Sequence, residues 1–183
     1  SIKELEYHTD FLNLMRLDYS AKIQIHIGGI YGNKEKSRKQ FISNYKTLLS
    51  ENIKKRLVIE NDDHLYNLKD CIEIHKSTGI PILFDVFHHI CFDNNLPLNI
   101  ALQISNNTWN HDKDGIMMID YSNQELNQRK GKHSYTLDIK EFEKFILSVS
   151  DLDFDIILEI KDKEKSAKKA IEIMNKFNLQ FKE

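Results

Sequence analysis

The stretch "ILFDVFHHI", residues 82–90, is an apolar run interrupted by Asp85 and followed, three residues on, by a pair of histidines. It reads as a buried strand whose carboxyl end carries Asp85, His88 and His89. Four more segments have the same character: "KIQIHI" (22–27), "RLVIEN" (56–61), "GIMMID" (115–120) and "FDIILEI" (154–160). Each predicts a strand apolar on both faces, the pattern of a parallel sheet covered by helices.

Between these segments the apolar period lengthens to that of a helix. Phe41, Tyr45, Leu48 and Leu49 form one stripe, and Leu65, Leu68, Ile72 and His75 a second. Phe142, Phe145, Ile146 and Val149 form a third, and Ala167, Ala170, Ile171 and Met174 a fourth. The chain opens on a further helical stretch, "IKELEYHTDFLNLMR". Polar strand-end residues recur at roughly 25–40 residues, the length of one βα unit of a barrel or a doubly wound sheet. The expectation is α/β, a partial (β/α) TIM-type barrel with about five parallel strands and covering helices, since a full barrel takes about 250 residues. An open sheet needs its edges covered, by further strands, a second copy of the chain or another chain.

A length of 183 residues with 40% hydrophobic and 30% charged residues fits one folded domain spanning 1–183, and neither prolines nor glycines cluster into a linker. No apolar run approaches the roughly 18 residues of a membrane span, and the start lacks a signal-peptide pattern, so the expected location is cytoplasmic. Cys71 and Cys91, without CxxC spacing, read as buried free thiols. A net charge of −2 neither advertises nor excludes nucleic acid; any such contact needs a local basic face.

In parallel βα folds, functional groups gather where the strands' carboxyl ends and their loops converge. His26, Glu60, Asp85 with His88, Asp120 and Glu159 lie at or near the five strand ends, and His133 in the loop beyond the fourth. Imidazoles and carboxylates from several strands are the donor set of a divalent-metal cluster, and paired ions can bind a phosphodiester, activate water and stabilise the leaving oxygen. Taken singly, each position has a plainer reading: a lone histidine satisfied within the structure, a lone Asp or Glu as a helix cap. Their coincidence at five strand ends favours the metal. Asp62 or Asp63 reads as the cap of the following helix, His8, His64 and His75 as surface or capping residues, and His111 as a loop residue of open role. Of the adjacent pair, His88 is taken as the ligand and His89 as a supporting residue, because neighbours leaving a strand face different ways. In "IHIGGIYGNK" (25–34), Gly28, Gly29 and Gly32 permit tight turns and Lys34 starts a helix. The segment is neither a dinucleotide fingerprint nor a P-loop; it is an ordinary turn or a phosphate contact through Lys34.

"HIGGIYGNK", "RLVIENDD", "PILFDVFHH", "GIMMIDYSNQ" with "GKHS", and "LEIKDKE", in this order and spacing, resemble the successive motifs of the UV damage endonuclease family. The resemblance runs from about residue 5 to 170, and corresponds to roughly the carboxyl-terminal two thirds of that family's xylose isomerase-like TIM barrel. It implies a metal-dependent DNA repair hydrolase that incises damaged double-stranded DNA immediately 5′ of UV photoproducts. The implied cofactor is a cluster of divalent ions, manganese by the family's habit. The implied ligands are His26, Glu60 as a bridging carboxylate, Asp85, His88, His133 and Glu159, with Glu60 and Lys34 taken as catalytic. Where the family carries Lys-x-His-x-Ser, this sequence has Met118, Ile119, Asp120, Tyr121 and Ser122. Asp120 can still hold a hard cation, while the lysine is lost to Met118. The family's first barrel strands have no counterpart here. Two other readings stay open: a sugar isomerase or epimerase built on the same barrel, and a barrel remnant without chemistry.

Overall fold

A computed structural model describes residues 2–92 and 95–179. The elements are α1 (Ile2–Leu14), β1 (Ile23–His26), α2 (Lys34–Leu48), α3 (Glu51–Arg56), β2 (Leu57–Glu60), α4 (Leu68–Thr78) and β3 (Ile82–Asp85). They continue with α5 (Val86–Cys91), α6 (Leu98–Asn106), α7 (His111–Asp114), β4 (Met117–Tyr121), α8 (Ile139–Ser148), β5 (Phe154–Leu158) and α9 (Glu164–Lys176). All five predicted strands form, and they make one parallel sheet in the order β1-β2-β3-β4-β5. A sequential order without reversal is an arc of a barrel; a doubly wound sheet would change direction at a switch point.

The central strands follow the expected pattern of burial on both faces. β2 and β3 are buried at every position, because helices cover one side and the barrel interior lies on the other. β1 and β5 depart from it: β1 is only partly buried and β5 alternates, with Asp155 and Ile157 exposed. They are the edges of the arc, and among the described residues no strand pairs beyond them.

The helical stripes are right in place and partly wrong in detail. Phe142, Phe145 and Ile146 of α8 are buried, as expected. On α4 the buried face is Leu68, Cys71 and Ile74, one step round from Ile72, and Leu65 precedes the helix. Leu48 on α2 and Ile171 on α9 are exposed, since each flanks an edge strand that offers its helix little to pack on. The cap of α4 is Asn67, in a reciprocal capping box with Asp70, and not Asp62 or Asp63. Asp62 instead accepts from the backbone N–H groups of His64, Leu65 and Tyr66, closing the turn before it. Cys71 and Cys91 are both buried free thiols. No helix among the described residues is long and apolar enough to cross a membrane.

Below the sheet, Arg56 is 1% exposed and donates to Asn13 Oδ1 (2.8 Å) and to the carbonyls of Leu17 (2.7 Å), Asp18 (2.6 Å) and Ala21 (2.9 Å). One guanidinium thus satisfies the chain that runs from the end of α1 into β1. Lys22 is buried beside it on Asp114 at 2.8 Å and also donates to the Lys55 carbonyl. Both cations tie the strands together at the end opposite the polar cluster.

Candidate metal centre

The sheet register sets the site. His26 lies opposite Glu60 on the β1–β2 ladder, and Asp85 opposite Asp120 on the β3–β4 ladder. Parallel pairing thus sets two level pairs, and since Glu60 stands opposite Leu83 the second pair lies two residues further along the sheet, on the same face. α5 follows β3 without a loop, because the Asp85 side chain caps it, accepting from the His88 N–H at 2.6 Å. That turn returns the His88 ring to the carboxylates, with Nδ1 3.0 Å from Glu60 Oε1 and 3.2 Å from Asp85 Oδ2.

A second group closes the other side: Asp85, Asp120 and Glu159 each place a carboxylate oxygen within 4.8 Å of the others. His133 stands over it with Nδ1 3.5 Å from Glu159 Oε2, its ring edge-on to His88 at 5.5 Å between centroids. His26 completes the rim, half exposed, with Nε2 3.6 Å from Glu60 Oε2 and its ring 5.8 Å from that of His88. All seven residues expected as metal ligands are gathered at one mouth. Lys34 is not among them: its ammonium lies 2.5 Å from Asp70 and over the rings of Tyr66 and Phe92.

The polar accounting at this mouth does not close. Glu60, Asp85 and Asp120 are at most 3% exposed, yet Asp120 Oδ1 has no hydrogen-bond partner, and Glu60 Oε1 and Asp85 Oδ2 have only His88 Nδ1 beside them, whose proton also serves the Asn61 carbonyl. Buried carboxylate oxygens left bare are costly. Burial, followed by the charges of Glu60, Glu159 and Asp85, pushes Asp120 up to about 8. Burial likewise pushes Asp85 up to about 7, against the pull of His88. Burial disfavours a charged His88, but the Glu60 and Asp85 carboxylates and the Asn61 carbonyl outweigh it and raise the ring to about 9. A divalent cation would satisfy the bare oxygens and reverse the repulsion that moves these groups, so the donor set fits the ion.

The histidines point the same way. His88 Nδ1 is hydrogen-bonded to the Asn61 carbonyl at 3.0 Å, and His133 Nδ1 to the Glu159 carbonyl at 3.2 Å. A carbonyl only accepts, so in both rings Nδ1 carries a proton, which leaves Nε2 as the nitrogen that can ligate once its own proton is displaced by an ion. His89 is different. Its Nε2 donates to the Leu96 carbonyl at 2.9 Å and its ring packs on Phe84. It fixes the segment after α5, the supporting role expected of it. His75 donates to the Ile80 carbonyl beyond its own helix, and His111 begins α7 on the surface.

Two residues at the site were missed in the sequence. Gln24 Nε2 donates to Glu60 Oε2 at 2.6 Å and to Asp120, bridging the two carboxylates. A signal was present, because Gln24 stands two residues before His26 in β1 and so on the same face. Asn61 holds the Asp85 backbone at both ends, donating to its carbonyl (2.9 Å) and accepting from its N–H (3.0 Å). Nothing in the sequence distinguished that asparagine from a turn residue.

Comparison with known proteins gives the chain's relatives. The family model described as UV-endonuclease UvdE matches residues 1–182. A UV DNA damage endonuclease of Clostridium perfringens is 40% identical over 179 residues, 97% of this chain and 43% of that protein. A putative UV-damage endonuclease of Acanthamoeba polyphaga mimivirus is 35% identical over 176 residues, 92% of this chain and 52% of the relative. The crystal structure of SacUVDE superposes with a TM-score of 0.89 at 44% identity, over 97% of this chain and 58% of that one. The chain thus spans about half the length of the curated relatives it matches, a smaller share than the two thirds that motif order suggested.

Proposed function

The chain belongs to the UV-endonuclease UvdE family, and from that premise we propose that it carries the divalent-metal half of a DNA repair endonuclease. The reaction proposed is hydrolysis of a phosphodiester 5′ of UV photoproducts in damaged double-stranded DNA. The observation that carries the reading is the set of three buried carboxylates with too few donors for their oxygens, flanked by two histidines whose Nδ1–H groups are tied to carbonyls.

Glu60, Asp85, Asp120 and Glu159 would hold the ions with His26, His88 and His133, and manganese suits this mixed nitrogen and oxygen set. Divalent ions bound there supply the Lewis acidity that activates water and neutralises charge developing on the phosphate. Glu60 is proposed as the bridging carboxylate, since its two oxygens face different partners, His88 on one side and Gln24 and His26 on the other. The walls contributed by β2 and β3 exclude water from the carboxylates and strengthen their pull on a cation. Lys34 is proposed as a phosphate contact that must release Asp70 to act. The open edges β1 and β5 are where further strands or a second copy would complete the arc.

The test is manganese titration of the purified chain and of Glu60→Ala, followed by incubation with a UV-irradiated duplex. Tight manganese binding that Glu60→Ala abolishes supports the site, and nicking of the irradiated strand supports the reaction. Failure to bind manganese, or binding indifferent to Glu60→Ala, refutes the site. A second reading has its own observation: Met118 lies on β4 two residues before Asp120, where the resemblance places a lysine. Metal binding without nicking would favour a chain that keeps the centre and lacks the chemistry.

A further inference from the structure

We propose that the loop Gln124–His133, together with Lys161, is a preformed clamp for the DNA backbone beside the metal centre; the proposal rests on the reading above and adds its phosphate contacts. The loop's shape is set from within. The Gln124 amide donates to the carbonyls of Glu125 and Arg129, both at 3.0 Å, and its Oε1 accepts from the Gly131 N–H at 3.0 Å. Glu125 N–H donates to the Lys132 carbonyl at 2.8 Å, and Gln124 bridges His133 across the loop. Gly131 has φ +82 and sits so close to Asp63 that a Cβ would strike its carboxylate. The loop therefore packs closely against the strand-end turn after β2 as well as being held by its own hydrogen bonds.

What this frame displays is positive charge. Arg129, Lys132 and Lys161 line an open cleft of about 640 Å³ that His133 also borders, and Lys130 follows Arg129 on the loop's exposed side. Lys132 is turned onto Gln128 at 2.8 Å. Among the described residues, Arg129, Lys130 and Lys161 have no carboxylate partner. Other surface lysines divide, Lys39, Lys54, Lys76 and Lys144 each meeting a carboxylate and Lys36, Lys46 and Lys69 none among the described residues; what sets the loop apart is that its cations converge on one cleft. In a chain of net charge −2, cations gathered on one cleft by a loop held through its own hydrogen bonds present a local anion site.

The ligand's chemistry follows from the neighbours. His133 joins the cleft to Glu159, so an anion held there lies next to the proposed scissile phosphate. The same segment exposes Leu126 (83%) and Tyr135 (64%), apolar surface that suits sugars and base faces rather than a free phosphate ion. Phosphates flanking the cut would be gripped by side chains that carry no sequence information.

The experiment measures binding of a fluorescent duplex, irradiated and undamaged, by anisotropy in EDTA across about 50–200 mM salt. The proteins are the unmodified chain, the triple variant Arg129→Ala/Lys130→Ala/Lys161→Ala, and Lys144→Ala as a control. Removing one phosphate-neutralising cation lowers the magnitude of the log–log salt slope by about 0.9, so the triple variant should lose close to 3 while manganese binding stays unchanged. Lys144→Ala should keep the full slope. An unchanged slope in the triple variant, or an equal loss in the control, overturns the clamp and leaves the metal reading intact. No duplex binding by the unmodified chain overturns both the clamp and the DNA reading.

Discussion

Asp120→Asn separates the two roles of the carboxylate cluster, because the change should stabilise the metal-free chain and weaken the metal-bound one. Asp120 is fully buried and pushed up to about 8 from its ordinary 3.8 by burial and by its carboxylate neighbours. At pH 7 the folded chain holds it protonated, while the unfolded chain ionises freely. Keeping a proton on a group of pKa 3.8 at pH 7 costs about 1.4 kcal/mol for each of roughly three units, or about 4 kcal/mol. Asp85 and Asp120 are coupled, so part of that cost passes between them and about 2–4 kcal/mol is expected. The sign follows from the raised folded-state pKa: protonation stabilises the native chain below pH 4, and that stability is lost as pH rises towards 8. Asparagine has no proton to lose. Thermal unfolding in EDTA should therefore show the variant higher by on the order of 5–15 °C at pH 7, shrinking to less than half of that at pH 5. With saturating manganese the order should reverse. A variant less stable than the parent in EDTA at pH 7, or a gain equal at pH 5 and 7, refutes the account of bare, mutually repelling carboxylates.

Removing the amide that bridges Glu60 and Asp120, by Gln24→Ala, should lower manganese affinity about 10–100-fold with the fold intact, read by calorimetry and circular dichroism. The adjacent histidines should split: His88→Ala loses manganese, whereas His89→Ala keeps it and lowers the melting temperature. Arg56→Met strands the carbonyls of Leu17, Asp18 and Ala21 and should cost at least about 3 kcal/mol in urea unfolding, without changing metal stoichiometry in the folded fraction. Gly131→Ala should expose the Gln124–His133 loop to limited proteolysis while the sheet stays protected, because the new methyl meets Asp63.

The strands were legible because each is a short apolar run, and parallel pairing then made the strand ends coincide without further information. "PILFDV" alone placed Asp85, and the register added Asp120 opposite it. The helix faces were less legible where the sheet ends. Leu48 and Ile171 continue the apolar period of their helices, yet period alone does not reveal that the neighbouring strand is an edge. Gln24 was overlooked as an ordinary strand residue, although its spacing from His26 set it on the inner face. Asn61 was not readable at all, because its role depends on where β3 ends relative to β2. Charge composition also hid the basic loop, since Arg129, Lys130, Lys132 and Lys161 vanish into a balanced total.

The Asn61 clasp gives the centre its mechanics. The β2–β3 ladder has its pairs at Ile59–Ile82 and Glu60–Leu83, and beyond them the Asn61 side chain takes over the linkage to Asp85. The Asn61 carbonyl then reaches His88, and Asp85 reaches the His88 backbone. Three members joined pairwise form a triangle, and a triangle cannot shear without breaking a joint. His133 and Glu159 are braced from the other side: the Glu159 N–H extends the ladder to Tyr121, and its carbonyl holds both Ser122 Oγ and His133 Nδ1. The centre is thus propped by two independent frames, so an ion entering finds the Glu60, Asp85 and His88 side already spaced and the His133 and Glu159 side tied to the end of β4.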